Sequence, residues 1–206
     1  MYDGTNLSAT GCVATAMAQV MMYHRWPDVL KADIPAYTTS TYGLKVEGMA
    51  AGEKIDWDNM LPQYIEGQYS YDNIEAVSKL MLMCGAAVTM DYGPSSGAGV
   101  TAHTMTHFFG YDPHTTMSVG RAGVTLEQWV DAIDNDLLAE RPILYAGYSS
   151  DGGHQFVLDG TDGRGLYHVN WGWGGYQDGY FDISILNPAK GGTGSGMAAD
   201  GYNTYN

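Results

Sequence analysis

The chain contains few cysteines. Its 206 residues include only Cys12 and Cys84, and these do not form a Cys-x-x-Cys pair. Small secreted domains that depend on disulfides carry a larger, even set of cysteines, and structural zinc sites use closely spaced pairs. A disulfide framework, a zinc ribbon and a thioredoxin-like redox centre are therefore excluded, and each cysteine has to be interpreted alone.

Positive charge is also scarce. The chain has 9 Lys and Arg residues against 23 Asp and Glu residues, which gives a formal net charge of −14. Proteins that bind nucleic acid or an anionic membrane surface need a basic face to neutralise phosphate groups. The nine cations form no cluster, so the sequence argues against both partners. No apolar run approaches the ~20 residues of a membrane-spanning helix.

Helical patterns occupy the first two thirds of the chain. The periodicity of apolar residues predicts four helices, over 13–24, 73–83, 100–109 and 126–139. We expect Thr10 to cap the first helix and Gly85 to end the second. Asp72 with Glu75 and Thr125 with Gln128 resemble capping boxes.

The pattern changes after Pro142. Short β-rich runs separated by glycine and aspartate turns predict strands over 143–148, 155–159, 166–171 and 179–185. Their even spacing favours an antiparallel meander. Helices first and a sheet last are typical of an α+β fold.

Cys12 is the residue that points most directly to chemistry. It follows Gly11 at the predicted start of a helix, where the first-turn N–H groups and the positive end of the helix dipole stabilise a thiolate. The alternative is a small buried hydrophobic residue, as inert cysteines usually are. Cys84 is the internal contrast. It lies on the apolar face of a predicted helix, and we interpret it as an inert core thiol.

A thiolate enzyme needs a histidine from elsewhere in the chain as proton acceptor and donor. His154 follows Gly152 and Gly153 at the start of a β run, where glycine permits a close backbone approach. Its alternative interpretation is an ordinary polar residue at a turn. Further along the chain, Asn170 could accept a ring N–H from a histidine, and the indole of Trp171 could shield that bond from water.

Two other functions remain open from the residues alone. Exposed tryptophans such as Trp171 and Trp173 can stack on sugar faces, which would suit a non-catalytic binding protein. His103 and His107 stand four residues apart, so a helix places both rings on one face, as metal ligands require. No third ligand is indicated, and Thr104 breaks the His-Glu-x-x-His pattern of zinc hydrolases.

Five segments together resemble the streptopain family of cysteine peptidases, which are bacterial relatives of papain. The segments are residues 9–19 (ATGCVATAMAQ), 56–62 (DWDNMLP), 90–97 (MDYGPSSG), 152–160 (GGHQFVLDG) and 167–175 (YHVNWGWGG). They follow one another in the family's order and extend over nearly the whole chain.

The resemblance implies an α+β, papain-like two-lobed fold. Its N-terminal half would be helical, its C-terminal half an antiparallel β-sheet, and its active site would lie in the cleft between them. Residues 1–206 would form a single papain-like peptidase domain. The resemblance further implies a secreted bacterial enzyme made as a zymogen, of which this is the mature catalytic domain without signal peptide, inhibitory propeptide and both extreme ends.

The resemblance also implies the reaction and its principal residues. Cys12 would be the nucleophile of a cysteine endopeptidase, His154 its base, and Asn170 and Trp171 the supporting pair. Protein or peptide substrates are implied, with a bulky apolar residue favoured at the second position before the cut. No cofactor and no metal are implied. The alternative is a catalytically impaired, peptidase-like binding or adhesin protein.

Further residues would serve the substrate. By resemblance, Ser95, Ser96 and Gly153 would border the substrate cleft. Papain-like enzymes carry a glutamine six residues before the nucleophile, whose amide helps to form the oxyanion hole. Here that position is Asn6, whose amide reaches one methylene less far.

Overall fold

The computed structural model describes residues 4–149 and 152–186. The chain divides into two compact units, Met1–Ser118 and Val119–Asn206. Among these described residues, the first unit contains three helices, and the second contains a fourth helix and the main sheet. Within the described residues, no helix combines the length and apolarity needed to cross a bilayer.

The first helix, α1, spans Cys12–His24 and begins one residue earlier than predicted. Its N-cap is Gly11, with φ 90°, and no described side chain caps it, so the predicted cap at Thr10 is wrong. Glycine is required here because L side chains rarely adopt this φ. A Cβ at Gly11 would also lie 2.6 Å from Cε of Met90. The tight entry places Cys12 in the first turn.

The second helix, α2, spans Tyr71–Ala87 and is longer at both ends than predicted. Ser70 and Asn73 form its capping box, so the predicted box of Asp72 with Glu75 is wrong. Gly85 lies inside the helix and does not end it. A Cβ at Gly85 would collide with the hydroxyl of Tyr92, so this glycine permits close packing of the helix against the following loop.

Short elements complete the first unit. Strands β1 (Tyr37–Thr38) and β2 (Lys45–Val46) form an antiparallel hairpin. A single 3₁₀ turn covers Trp57–Asn59, and α3 spans Ala102–Phe109, inside the range predicted for a short helix.

The fourth helix, α4, spans Leu126–Leu138 and begins with the predicted capping box of Thr125 and Gln128. Ile133 is buried in the core of the second unit, as the apolar periodicity predicts. Leu126, assigned to the same face, is 50% exposed, because it stands in the first turn, beyond the packed stretch.

The sheet of the second unit has the order β3-β4-β5-β6 and is antiparallel throughout, which confirms the predicted meander. Its strands are β3 (Ile143–Ser149), β4 (Gly152–Thr161), β5 (Leu166–Asn170) and β6 (Gly179–Asp182). Strand β4 begins three residues earlier than predicted, so His154 lies within the strand. The core against this sheet is aromatic, with Phe156, Tyr167, Trp171 and Phe181 among its buried members.

Candidate functional site

Cys12 is the first residue of α1, is partly buried, and carries a reduced thiol. The carbonyl oxygen of Gly11 accepts bonds from the backbone N–H of Thr15 at 3.2 Å and from its hydroxyl at 3.1 Å. These bonds hold the first turn closed directly beneath the cysteine. The predicted position at a helix N-terminus is confirmed, and there the helix dipole favours a thiolate.

Cys84 has the opposite environment. It is completely buried on α2, with its Sγ 3.7 Å from Sδ of Met21. Burial raises the pKa of its thiol, because a charged sulfur would lose its hydration without gaining a partner. The prediction of an inert core thiol is confirmed in its structural part.

The remaining predicted residues of the first unit lie on irregular segments. Asn6 is exposed in the bend that precedes α1. Ser95 is exposed, whereas Ser96 is half-buried and its hydroxyl donates to the carbonyl oxygen of Ala9 at 2.6 Å. The hydroxyl of Ser96 is therefore engaged with the segment that leads into Cys12.

His154 is the third residue of β4 and pairs with Gly147 of β3. Its Nε2 lies 2.9 Å from the backbone carbonyl oxygen of Trp171. A carbonyl oxygen only accepts, so this bond requires a proton on Nε2. In the neutral ring the lone pair is then on Nδ1, which is the nitrogen able to take a proton.

Aromatic rings surround the imidazole of His154. The distance between ring centroids is 5.1 Å to Trp173, 5.9 Å to Phe156 and 6.3 Å to Trp171. The angles between the ring planes are 30°, 29° and 19° in the same order. Trp171 is completely buried, whereas Trp173 is 38% exposed. These rings lie within 30° of the plane of the imidazole and hold its orientation.

Trp171 is itself held in place by the turn that follows it. Its backbone N–H donates to Oδ1 of Asp178 at 2.9 Å, and its indole N–H donates to the carbonyl oxygen of Gln177 at 3.1 Å. Oδ1 of Asn170 accepts from the backbone N–H of Gly172 at 2.9 Å. The side chains of Asn170 and Asp178 thus shape the turn that presents the Trp171 carbonyl to His154.

Sequence reasoning missed Asp178 and Tyr148. No motif marks Asp178, because its bond to Trp171 spans seven residues of irregular chain. Tyr148 pairs with Gly153 across β3 and β4. Cε1 of its ring lies 2.9 Å from the position that a Cβ of Gly153 would occupy. Only a known strand register could have located that contact.

His103 and His107 lie on one face of α3, as their spacing predicts. Both are exposed, and their rings stack with centroids 5.0 Å apart and planes at 13°. No group of three or more His, Cys, Asp or Glu side chains suited to a metal ion occurs in the part of the chain that the structure describes.

Comparison with known proteins places these residues in a family. The model of the Peptidase C10 family matches residues 2–181. Streptopain from Streptococcus pyogenes is 40% identical over 207 residues, covering 96% of this chain and 51% of streptopain. The thiol protease/hemagglutinin PrtT from Porphyromonas gingivalis is 33% identical over 198 residues, covering 95% of this chain and 22% of PrtT. The chain thus spans about half the length of streptopain.

Solved structures give the fold. The active wild-type interpain A cysteine protease of Prevotella intermedia superimposes with a TM-score of 0.80 at 35% identity, over 96% of this chain and 79% of that protein. A fragment of prointerpain A from the same organism superimposes with a TM-score of 0.74 at 37% identity, over 84% of this chain and 56% of the fragment. The expected papain-like α+β fold is confirmed. In sequence and in fold, the chain belongs to the peptidase C10 family, as its streptopain-like segments predict.

Proposed function

We propose that this protein is a cysteine endopeptidase that cleaves peptide bonds with the thiolate of Cys12 and the imidazole of His154. The observation that carries the proposal is the position of Cys12 in the first turn of α1, in a chain of the peptidase C10 family. The related proteins support the same activity by analogy, since PrtT is named a thiol protease and interpain A a cysteine protease. Streptopain is the third relative. Residues 1–206 would act as one catalytic domain.

The proposed reaction has two stages. The thiolate of Cys12 attacks the carbonyl carbon of the scissile bond, and His154 donates a proton to the leaving amine. A thioester remains on Cys12. Water then attacks this thioester while His154 accepts a proton from it. The C–S bond breaks, the acid product leaves, and the thiolate of Cys12 and the protonated imidazole of His154 are restored.

Two groups would stabilise the oxyanion of each tetrahedral intermediate. The backbone N–H of Cys12, in the first turn of α1, would be one donor. The side-chain amide of Asn6 would supply the second donor. Its position six residues before Cys12 and its exposure on an irregular segment support this role.

The surroundings of His154 suit a base that becomes an imidazolium. Donation from Nε2 to the Trp171 carbonyl orients the ring and directs proton transfer to Nδ1. The rings of Trp171 and Trp173 pack beside the imidazole and hold its plane. Asn170 would contribute by shaping the turn that carries the Trp171 carbonyl.

Substrates would be proteins or peptides with a bulky apolar residue at the second position before the cut. Ser95, Ser96 and Gly153 would border the binding cleft, and no cofactor would be needed beyond conditions that keep Cys12 reduced. We further propose secretion from a bacterial cell and synthesis with an inhibitory propeptide. The existence of a prointerpain A form in the related protein supports the latter.

An epoxysuccinyl inhibitor of thiol proteases tests the proposal. Intact-mass analysis and peptide mapping at neutral pH should find one label, on Cys12, in the wild-type protein and none in His154→Ala. Peptide hydrolysis should be lost in Cys12→Ala and largely retained in Cys84→Ala, the matched cysteine control. Undiminished hydrolysis by Cys12→Ala would refute the proposal.

A replacement at Asn6 tests the oxyanion role separately. Asn6→Ala should lower kcat on the order of 10²–10³, the usual cost of one missing oxyanion donor. Asn6→Gln, which introduces the papain-like residue, should retain activity. Equal kcat values for Asn6→Ala and the wild type would remove Asn6 from the site while leaving the Cys12 assignment intact.

A second candidate function is a peptidase-like binding or adhesin protein with impaired catalysis. The partly exposed rings of Trp173 and Tyr176 favour it, at 38% and 67% exposure. The name of PrtT also joins a thiol protease to a hemagglutinin. Glycan-dependent quenching of tryptophan fluorescence, lost in Trp173→Ala, would support this function, and flat titrations would dismiss it.

A further inference from the structure

Residues 90–97, here called the brace loop, lie against the chain just before Cys12. The backbone N–H of Ala9 donates to the carbonyl oxygen of Gly93 at 2.8 Å. The hydroxyl of Ser96 donates to the carbonyl oxygen of Ala9 at 2.6 Å and accepts from the N–H of Gly93 at 3.1 Å. Both polar backbone groups of Ala9, three residues before the cysteine, are therefore bound to the brace loop.

The brace loop also contacts Gly11, the residue next to Cys12. Met90 is completely buried, and its Sδ lies 2.8 Å from the position that a Cβ of Gly11 would occupy. The Cβ of Ser96 lies 3.4 Å from the same position. The loop thus packs against the backbone of the N-cap from which the cysteine projects.

The other side of the brace loop is anchored to the β1–β2 hairpin. The carboxylate of Asp91 accepts from the Thr41 N–H at 3.1 Å, from the Thr41 hydroxyl at 2.6 Å and from the Ser40 hydroxyl at 2.8 Å. The hydroxyl of Tyr37 donates to the Met90 carbonyl at 2.8 Å. These four bonds tie the loop to an independent element, so it can act as a support for the segment before Cys12.

We propose that Ser96 is a positioning residue for Cys12, through its hydrogen bond to the Ala9 carbonyl. The inference rests on the proposed function, in which Cys12 is the nucleophile. It differs from a cleft-lining role, because a serine hydroxyl has a single proton to donate. In Ser96 that proton goes to Ala9, at 2.6 Å, in preference to the Gly93 carbonyl at 3.3 Å. A substrate carbonyl therefore has no donor at Ser96.

We expect the loss of the Ser96 hydroxyl to lower kcat. A displacement of about 1 Å at a reacting group can cost on the order of 10²-fold in rate. The Ala9–Gly93 bond remains in Ser96→Ala, so the displacement is smaller, and we expect a fall in kcat of about tenfold with KM nearly unchanged. Ser96→Thr keeps the hydroxyl and should recover part of the loss.

Alkylation by iodoacetamide separates positioning from substrate binding, because this reagent carries no peptide. The rate of Cys12 alkylation, located by peptide mapping, is measured beside kcat and KM in the wild type, Ser96→Ala and Ser96→Thr. Ser78→Ala, an exposed serine on α2, is the matched control. We expect kcat and the alkylation rate to fall together in Ser96→Ala and to remain unchanged in Ser78→Ala.

The outcomes are distinguishable. A raised KM with unchanged kcat and alkylation rate would identify Ser96 as a substrate contact and overturn the inference alone. If Ser96→Ala does not fold, Asp91→Ala frees the loop at its exposed end, and unchanged rates in that variant would also overturn the inference. Full hydrolysis by Cys12→Ala would overturn the proposed function, and the role of Ser96 with it.

Discussion

One added methyl group at Gly11 should be strongly destabilising. Gly11→Ala imposes two separate costs on the N-cap of α1. A side chain at φ 90° and ψ 137° is strained by about 1–3 kcal/mol. The new Cβ would also stand 2.6 Å from Cε of Met90. Met90 is fully buried, so the end of its side chain can shift only within the packed core, and overpacking adds about 1–3 kcal/mol. We expect a total loss of about 2–6 kcal/mol.

Two other glycines separate these costs. Gly52 has a similar φ of 87° but no atom within 4 Å of its Cβ position, so Gly52→Ala should lose about 1–3 kcal/mol from strain alone. Gly99 has neither a positive φ nor a neighbour there. Gly99→Ala should leave stability within about 1 kcal/mol of the wild type, because the reduced entropy of the unfolded chain is the main remaining effect.

Urea unfolding followed by circular dichroism gives these free energies, provided that the m-value is unchanged. A double-mutant cycle with Met90→Ala isolates the clash, since the shortened side chain leaves room for the new methyl group. Gly11→Ala should then cost only its strain. The reasoning fails if Gly11→Ala costs the same in both backgrounds, or no more than Gly52→Ala in the wild-type background.

Three further predictions concern single side chains. Cys84 should resist iodoacetamide in the folded protein and react once urea unfolds it, because burial raises the pKa of its thiol; equal rates in both states would contradict this. Hydrogen bonds from the β1–β2 turn lower the pKa of Asp91 in the folded protein. The ionised carboxylate should therefore stabilise the fold fully above the pKa of the unfolded chain, near ~3.9, and this stabilisation should disappear as the pH falls through the lower pKa of the folded protein. The difference in Tm between Asp91→Asn and the wild type should therefore be greatest at neutral pH and decrease in strong acid, and a constant difference would refute the assignment. Trp173→Ala should lower kcat by about 3–10-fold, because it removes roughly 1 kcal/mol of ring–ring packing that holds the plane of the His154 imidazole, and Trp173→Phe should restore part of it; equal kcat values in all three proteins would exclude that role.

Local sequence signals located the elements more reliably than their ends. Apolar periodicity located the four helices of the described residues, and the turn residues after Pro142 located the strands of the meander. The errors lie at element boundaries, where distant groups take part. Gly85 lies inside α2, where the Tyr92 hydroxyl leaves no room for a Cβ. Gly11, with Met90 beside it, is the N-cap of α1 in place of Thr10.

The site shows the same division between local and distant causes. A cysteine in the first turn of a helix and a histidine after two glycines are local patterns, and both were visible in the sequence. The partner of the His154 ring was not, because Trp171 contributes a backbone carbonyl, and every residue has one. Asp178 and Tyr148 escaped detection for a related reason, since their contacts depend on a turn conformation and a strand register.

The sequence was thus sufficient for the order of helices and strands, through residue type and spacing, and for the fold class and the family, through the resemblance of five segments. The catalytic roles of Cys12 and His154 stay predictions. The supports of those residues came from packing: the brace loop under Ala9 and Gly11, and the turn that presents the Trp171 carbonyl. Hydrogen bonds and van der Waals contacts depend on distances in space, and residues such as Ala9 and Ser96, 87 positions apart, acquire a defined distance only when the chain has folded.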